Sequence, residues 1–344
     1  MNTNGDWNRV ISDIFSAITI ESPDYFHFAG RSFAVQPPGH QHAEHALPNP
    51  NPPLVVNLSA QLYEYAYSRP FRGRLPEPEV LDLSIDSDLI EAMSTANSTR
   101  ERWEDGWTIN QILHHGQIVA QQGSNSRNVW PGQFISKDGP AAMPRPGAQI
   151  SIFYAKESRS LQSGFYYAFG EEAEEHTRGA GLVRLYWNIS PEGAPALVGL
   201  LTSRLNRFHV PFRLKCATSR SQFSRTDVAV LYLTKPFFRI TAELMLDVHP
   251  VVANFLEDEV PLFTKRIARG LGAAEDPGTG ESFGQSRCQR LAQSVWDCYL
   301  QGEQSSEGRT RQFRWLLEQS GIHSQHLHLN ASSLDWYELP RDSE

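Results

Sequence analysis

The chain has 344 residues, 40% of them hydrophobic and 20% charged, with a formal net charge of −8. That length supplies enough buried surface for one large domain or two of ordinary size without cross-links, and the negative balance disfavours general adsorption to nucleic acid or to anionic membrane. Three cysteines, Cys216, Cys288 and Cys298, with no CxxC pair, exclude a disulfide scaffold and a cysteine zinc site, and they fit a reducing, cytoplasmic setting.

Trp7, Val10, Ile11, Ile14 and Phe15 recur at helical spacing and predict an amphipathic first helix. The polar start MNTNGDWNRV lacks the regions of a signal peptide, and no apolar run reaches bilayer length. The proline-rich passage QPPGHQHAEHALPNPNPP reads as an exposed loop, because proline lacks an amide donor and fixes its own backbone. Helices are expected over 86–97 and 109–120, with the aromatics of YEYAYSRPFRG packing them together. Residues 1–122 therefore read as a helical N-terminal region suited to peptide or partner binding.

From Gly123 the texture changes to Gly, Pro and Ser punctuation between short β-like runs, with 149–156 and 163–170 expected to form a hairpin. Val183, Leu185 and Trp187 alternate as a strand. Ser190 is placed to cap the next helix, with Pro191 in its first position and Glu192 favourable to the dipole. Ala194, Leu197, Leu201, Leu205 and Phe208 continue that helix, VPFRLKC returns to strand, and TDVAVLYLTKP forms a third strand, expected to run antiparallel to its neighbour. A helix over 255–267, a glycine-rich break ARGLGAAEDPGTGESFG, helices over 286–300 and 311–319, and a loosely held tail complete the reading. The fold class is α+β: a helical part (1–122), a mixed sheet flanked by helices (123–330) and a tail (331–344).

Several residue groups suggest chemistry. His40, His42, Glu44 and His45 are metal-ligand types, but they sit among prolines rather than on rigid elements, which argues against a native metal role. His114 and His115 are adjacent on an expected helix and point to different faces. The glycine-rich break lacks a leading strand and a Walker lysine, so a P-loop is not supported, and neither GxSxG nor HExxH occurs. Within 211–239 the cations Arg213, Lys215, Arg220, Arg225, Lys235 and Arg239 face one acid, Asp227, against the sign of the chain. On the strand period of two, Arg184 and Tyr186 share a face, as do Arg213 and Lys215. Two readings stand: a solvated face paired with the acids of EEAEEH, or cations converging on an anionic substrate.

The run from RLYWNISPEGAPALVGLL to DVAVLYLTKP, followed by FTKRIARGLGAAEDP and ESFGQSRC, resembles the HopA type of bacterial type III effector. That family includes stand-alone lyase partners in class V lanthipeptide and thioamitide biosynthesis. The early IFSAITIESPDYFHF looks similar too. A more distant resemblance is to phosphothreonine lyases and the lyase domains of class III and IV lanthipeptide synthetases. They share the order of a cation two residues before the acid, a helix, a strand with the lysine base, then an arginine before a strand ending in Leu-Tyr or Val-Tyr.

The resemblance implies a phosphothreonine-lyase-like fold and β-elimination of phosphate from phosphoserine or phosphothreonine in a precursor peptide, without metal or organic cofactor. It implies Lys215 and Tyr186 as base and acid, and Arg184, Arg213, Arg225, Tyr232 and Arg287 as phosphate ligands. Tyr186 stands where those relatives carry histidine, and either Lys215 or Arg213 holds the base position. A separate Ser/Thr kinase is the implied partner, since no kinase signature occurs here. The other class of reading is a noncatalytic effector-like or scaffold protein that binds a phosphorylated or acidic segment, or a kinase.

Overall fold

The computed structural model describes residues 7–36, 51–77, 85–139, 142–172 and 181–340. His40, His42, Glu44 and His45 lie outside them. The chain begins with α1 (Trp7–Ser16), whose Ile11, Ile14 and Phe15 are buried as the helical period requires. A three-stranded meander follows: β1 (Ile18–Ser22), β2 (Tyr25–Phe28) and β3 (Arg31–Ala34). Then come α2 (Pro53–Leu62), with proline in its first turn and a π-helical turn Tyr63–Tyr67 at its end, and α3 (Ser87–Ala96), capped by Asp86.

The helix expected over 109–120 is a β-hairpin instead. β4 (Arg102–Ile112) and β5 (Ile118–Gln122) pair antiparallel across a tight turn in which His115 and Gly116 adopt positive φ. Trp107 and Ile109 are buried two residues apart, the strand period that a short apolar run conceals from a helical template. With β6 (Asn125–Val129), β7 (Phe134–Ser136) and β8 (Gln149–Tyr154), these strands form a five-stranded sheet in the order β6-β5-β4-β8-β7. The boundary expected at 122/123 thus falls inside a sheet, and the described residues before it mix helices with strands.

The second large sheet holds β9 (Glu157–Ser158), β10 (Phe165–Phe169), β11 (Leu182–Trp187), β12 (Arg213–Ala217), β13 (Ala229–Thr234), β14 (Lys265–Ala268) and β15 (Leu271–Glu275), in the order β14-β15-β11-β13-β12-β10-β9. Every neighbouring pair is antiparallel, so the sheet is not mixed. β11 and β12, joined by α4 (Ala194–Arg207), run parallel but apart, with β13 inserted between them. The expected hairpin of 149–156 with 163–170 does not form, because β8 pairs β4 while β10 pairs β12.

Other differences are local. α4 is preceded by a turn over Ser190–Gly193, so its cap is Gly193 rather than Ser190. α5 (Phe238–Val252) was not anticipated, and the helix expected over 255–267 is irregular chain leading into β14. The supposed glycine-rich break contains β15, fully buried in the sheet. A Cβ on Gly272 would meet the Thr264 hydroxyl at 2.6 Å, so close packing selects the small residues that lower β propensity. α6 (Phe283–Leu300) opens with a capping box at Ser282, and α7 (Ser306–Gln319) with Ser305.

Alternation splits the large sheet's two faces. Val183, Leu185, Trp187, Leu214, Cys216, Leu231 and Leu233 pack against α3, α4 and α5. Tyr186, Val230 and Ala274 face a second core built from α1, α2, α6 and α7. Arg309, fully buried on α7, donates to the Phe15 and Ile18 carbonyls at 2.8 and 2.7 Å and ties the meander to this core. The tail is not loosely held over its described part: Tyr337 is buried, and its hydroxyl donates to Glu275 Oε1 at 2.7 Å.

Candidate active site

Register assembles the predicted residues. Tyr232 of β13 lies directly opposite Arg184 of β11 on one side and Arg213 of β12 on the other. One repeat along, Val230 lies opposite Tyr186 and Lys215. Directly opposed residues share a sheet face, so Arg184, Tyr186, Arg213, Lys215 and Tyr232 occupy a single face across three adjacent strands. Tyr167 of β10, opposite Lys215, extends the second row.

The guanidinium carbons of Arg213 and Arg184 stand 4.9 and 5.1 Å from the Tyr232 ring centroid. Arg184 is also held by Asp276, which follows β15: its Nε donates to Oδ2 at 2.7 Å and its Nη2 donates to the same oxygen. Burial opposes its charge, but the neighbouring Tyr186 and Tyr232, together with Asp276, hold the guanidinium pKa above its ordinary value. Arg213 has no carboxylate partner among the described residues, and its Nε is buried without a hydrogen-bond acceptor. It also borders a cavity of about 290 Å³, lined in addition by Arg127, Gln133, Tyr154, Phe169 and Glu172.

Lys215 Nζ lies 3.8 Å from the Phe165 ring centroid and donates to Gln162 Oε1 at 3.3 Å. Burial, joined by Arg225, Arg184 and Arg213, lowers its pKa to about 8, against an opposing pull from Asp227. Arg225, at the end of a short 3₁₀ turn, reaches the same region from the β12–β13 connection. Its Nε and Nη2 donate to Asp227 Oδ1 and Oδ2 at 2.9 and 3.0 Å, the two-pronged geometry of a guanidinium on a carboxylate. Tyr63, on the π-helical turn, donates to Asp227 Oδ2 at 3.3 Å. The Thr226 amide bonds the Ser68 carbonyl at 2.7 Å, fastening this connection to the same turn.

Tyr186 is buried, and the Tyr67 hydroxyl is the polar group beside its own. Burial raises its pKa, so it is a neutral hydroxyl with a proton to give. Arg287 does not join the row. It is 1% exposed on α6, and its Nε and Nη2 donate to the Leu327 and Leu329 carbonyls at 2.9 and 2.8 Å, so its phosphate-ligand assignment is replaced by a structural one.

Sequence reasoning missed Asp276, Tyr63, Phe165 and Gln162. Only the Arg225–Asp227 pair carried a local signal, two residues apart on one extended stretch. A second cavity, of about 410 Å³, lies between α2 and the start of α6 and includes Tyr63 and Glu281, whose carbonyl accepts from Arg184. Of the residues in the row, only Arg213 lines either cavity. Chemically the site offers a partly neutral amine, a guanidinium without a carboxylate partner among the described residues and a protonated phenol on one face.

A family model for the HopA1 effector protein family matches residues 156–329. Among solved structures, the effector protein from Pseudomonas syringae pv. tomato strain DC3000 is similar, with a TM-score of 0.43 and 13% identity over 83% of this chain and 93% of that one. The effector protein from Pseudomonas syringae pv. syringae strain 61 gives a TM-score of 0.43 and 13% identity over 81% and 98%. No curated protein matches the chain. No helix among the described residues is long and apolar enough to cross a membrane.

Proposed function

The chain belongs to the HopA1 effector protein family, and from that premise we propose that it is a cytoplasmic lyase removing phosphate from phosphoserine or phosphothreonine in a peptide. The observation that carries this reading is Lys215, lowered to about 8 and set among Arg213, Arg184 and Arg225. The lysine amine takes the Cα proton, the electron pair forms the Cα–Cβ double bond, and the Cβ–O bond breaks to release phosphate and leave dehydroalanine or dehydrobutyrine. Arg213 receives the phosphate through its planar fork, since of the three arginines it alone has no carboxylate partner among the described residues. Tyr186 supplies the proton for the departing oxygen. These steps need proton transfer and charge compensation alone.

The difference in surroundings favours Lys215 as the base and Arg213 as the phosphate ligand, because a guanidinium stays charged where an amine does not. The substrate class that fits is a ribosomal precursor peptide phosphorylated by a separate Ser/Thr kinase. Purified protein incubated with such a phosphopeptide should yield a product lighter by one phosphoric acid. Lys215→Ala should slow this by about 10²- to 10⁴-fold while leaving phosphopeptide binding largely intact. An unchanged phosphopeptide across several substrates sinks the proposal.

A second reading, a noncatalytic binder of a phosphorylated or acidic segment or of a kinase, is favoured by one observation: Arg184 and Arg225 already hold Asp276 and Asp227. Affinity without elimination, unaltered by Lys215→Ala, selects it.

A further inference from the structure

His326 and His328, in the turn-rich segment after α7, meet Asp335 from the chain beyond it. Asp335 Oδ2 lies 3.5 Å from His326 Nδ1 and 3.3 Å from His328 Nε2, and all three ligand atoms fall within 4.8 Å of one another. Both imidazole nitrogens are buried, and neither makes an acceptable hydrogen bond. The His328 side chain is only 3% exposed. Each buried nitrogen faces the carboxylate at a separation longer than an ordinary hydrogen bond, which leaves these polar groups incompletely satisfied.

The two separations fit a metal ion held between the three groups. Ligands at 2.0 to 2.1 Å from a tetrahedral zinc ion stand about 3.3 Å apart, close to the two separations here. Two imidazoles and a carboxylate are a borderline donor set suited to zinc-class divalent ions. The other oxygen of Asp335 accepts from Lys265 Nζ at 2.9 Å, and Lys265 also reaches Glu338 Oε1 at 3.2 Å. This ammonium fixes the carboxylate from behind, as outer partners of metal ligands do, while its charge reduces the affinity. His326 is 38% exposed, so the cluster lies near the protein surface.

We propose that His326, His328 and Asp335 form a zinc-class site that clips the C-terminal segment to itself, apart from the proposed reaction. The clip closes a segment that the fold already uses. Leu327 and Leu329 give Arg287 its acceptors, while Asn330, Ser333 and Tyr337 bond the buried Glu275.

The test uses the full chain, stripped with chelator and titrated with zinc by calorimetry, and with cobalt for its ligand-field spectrum. One ion per chain, a four-coordinate cobalt spectrum and a rise in melting temperature with zinc are expected. His328→Gln and Asp335→Asn should each weaken binding at least tenfold, and a chain altered at His40, His42 and His45 should bind as before. Circular dichroism of the unloaded variants separates lost ligands from lost fold. If zinc fails to bind, or binds equally after both His326→Gln and His328→Gln, or is lost only with the His40 group, the site does not exist.

Discussion

The Lys215 ammonium nitrogen stands 3.8 Å from the centre of the Phe165 ring. Two influences therefore act on one amine: burial and neighbouring arginines disfavour its charge, whereas an aromatic face favours it. The reacting form is the neutral amine. With a pKa of about 8, elimination should rise about tenfold per pH unit below that value and level off above it. Phe165→Leu removes the ring while keeping the apolar packing, and the midpoint of the pH–rate profile should move down by about half a unit. An upward shift would show that the ring does not hold the ammonium.

Lys215 also carries a stability cost whose sign is opposite to that of an ordinary buried residue. Its folded pKa of about 8 lies below the ordinary 10.5, so the unfolded chain binds the proton more tightly. The cost is present in full below about pH 8 and fades as pH rises toward 10.5. Lys215→Met should raise the melting temperature at pH 7 by an amount worth on the order of 1–2 kcal/mol after solvent screening. The gain should shrink at pH 10, as thermal melts at both values would show.

The arginines separate by partner. Arg213→Gln leaves no carboxylate behind and should cost under about 1 kcal/mol of stability, yet weaken phosphopeptide binding by about 10- to 100-fold. Arg184→Gln strands Asp276, and Arg225→Gln strands Asp227. Both should destabilise by about 3 kcal/mol, because an unpaired buried charge remains. Denaturant melts beside phosphopeptide titrations distinguish the two classes.

Arg287 should behave as a structural residue. Arg287→Lys keeps the charge but loses the fork that spans the Leu327 and Leu329 carbonyls, and it should cost about 2 kcal/mol or more. Tyr337→Phe removes one donor from the buried Glu275 and should cost about 1–2 kcal/mol. Loss of elimination from Arg287→Lys with unchanged stability would return this residue to the phosphate.

Alternation along two short runs was enough to place Arg184 with Tyr186 and Arg213 with Lys215, and the close connection of β12 to β13 foretold their antiparallel pairing. These are local properties, because a strand's two faces follow from a period of two. The helix expected over 109–120 failed for the converse reason: a short apolar run is ambiguous until a partner strand claims it. β15 was hidden because glycine and alanine are poor strand formers, and only burial between β11 and β14 explains them.

What the sequence by itself determined was which side chains share a face and which family the chain resembles. Tertiary structure alone decided which charges are already paired. Asp276 reaches Arg184 from 92 residues away, and Tyr63 reaches Asp227 from 164. Loop closure grows costlier only slowly with length, so partners so distant leave no mark on local sequence. Among the described residues, that nonlocal pairing leaves Arg213 without a carboxylate beside Lys215.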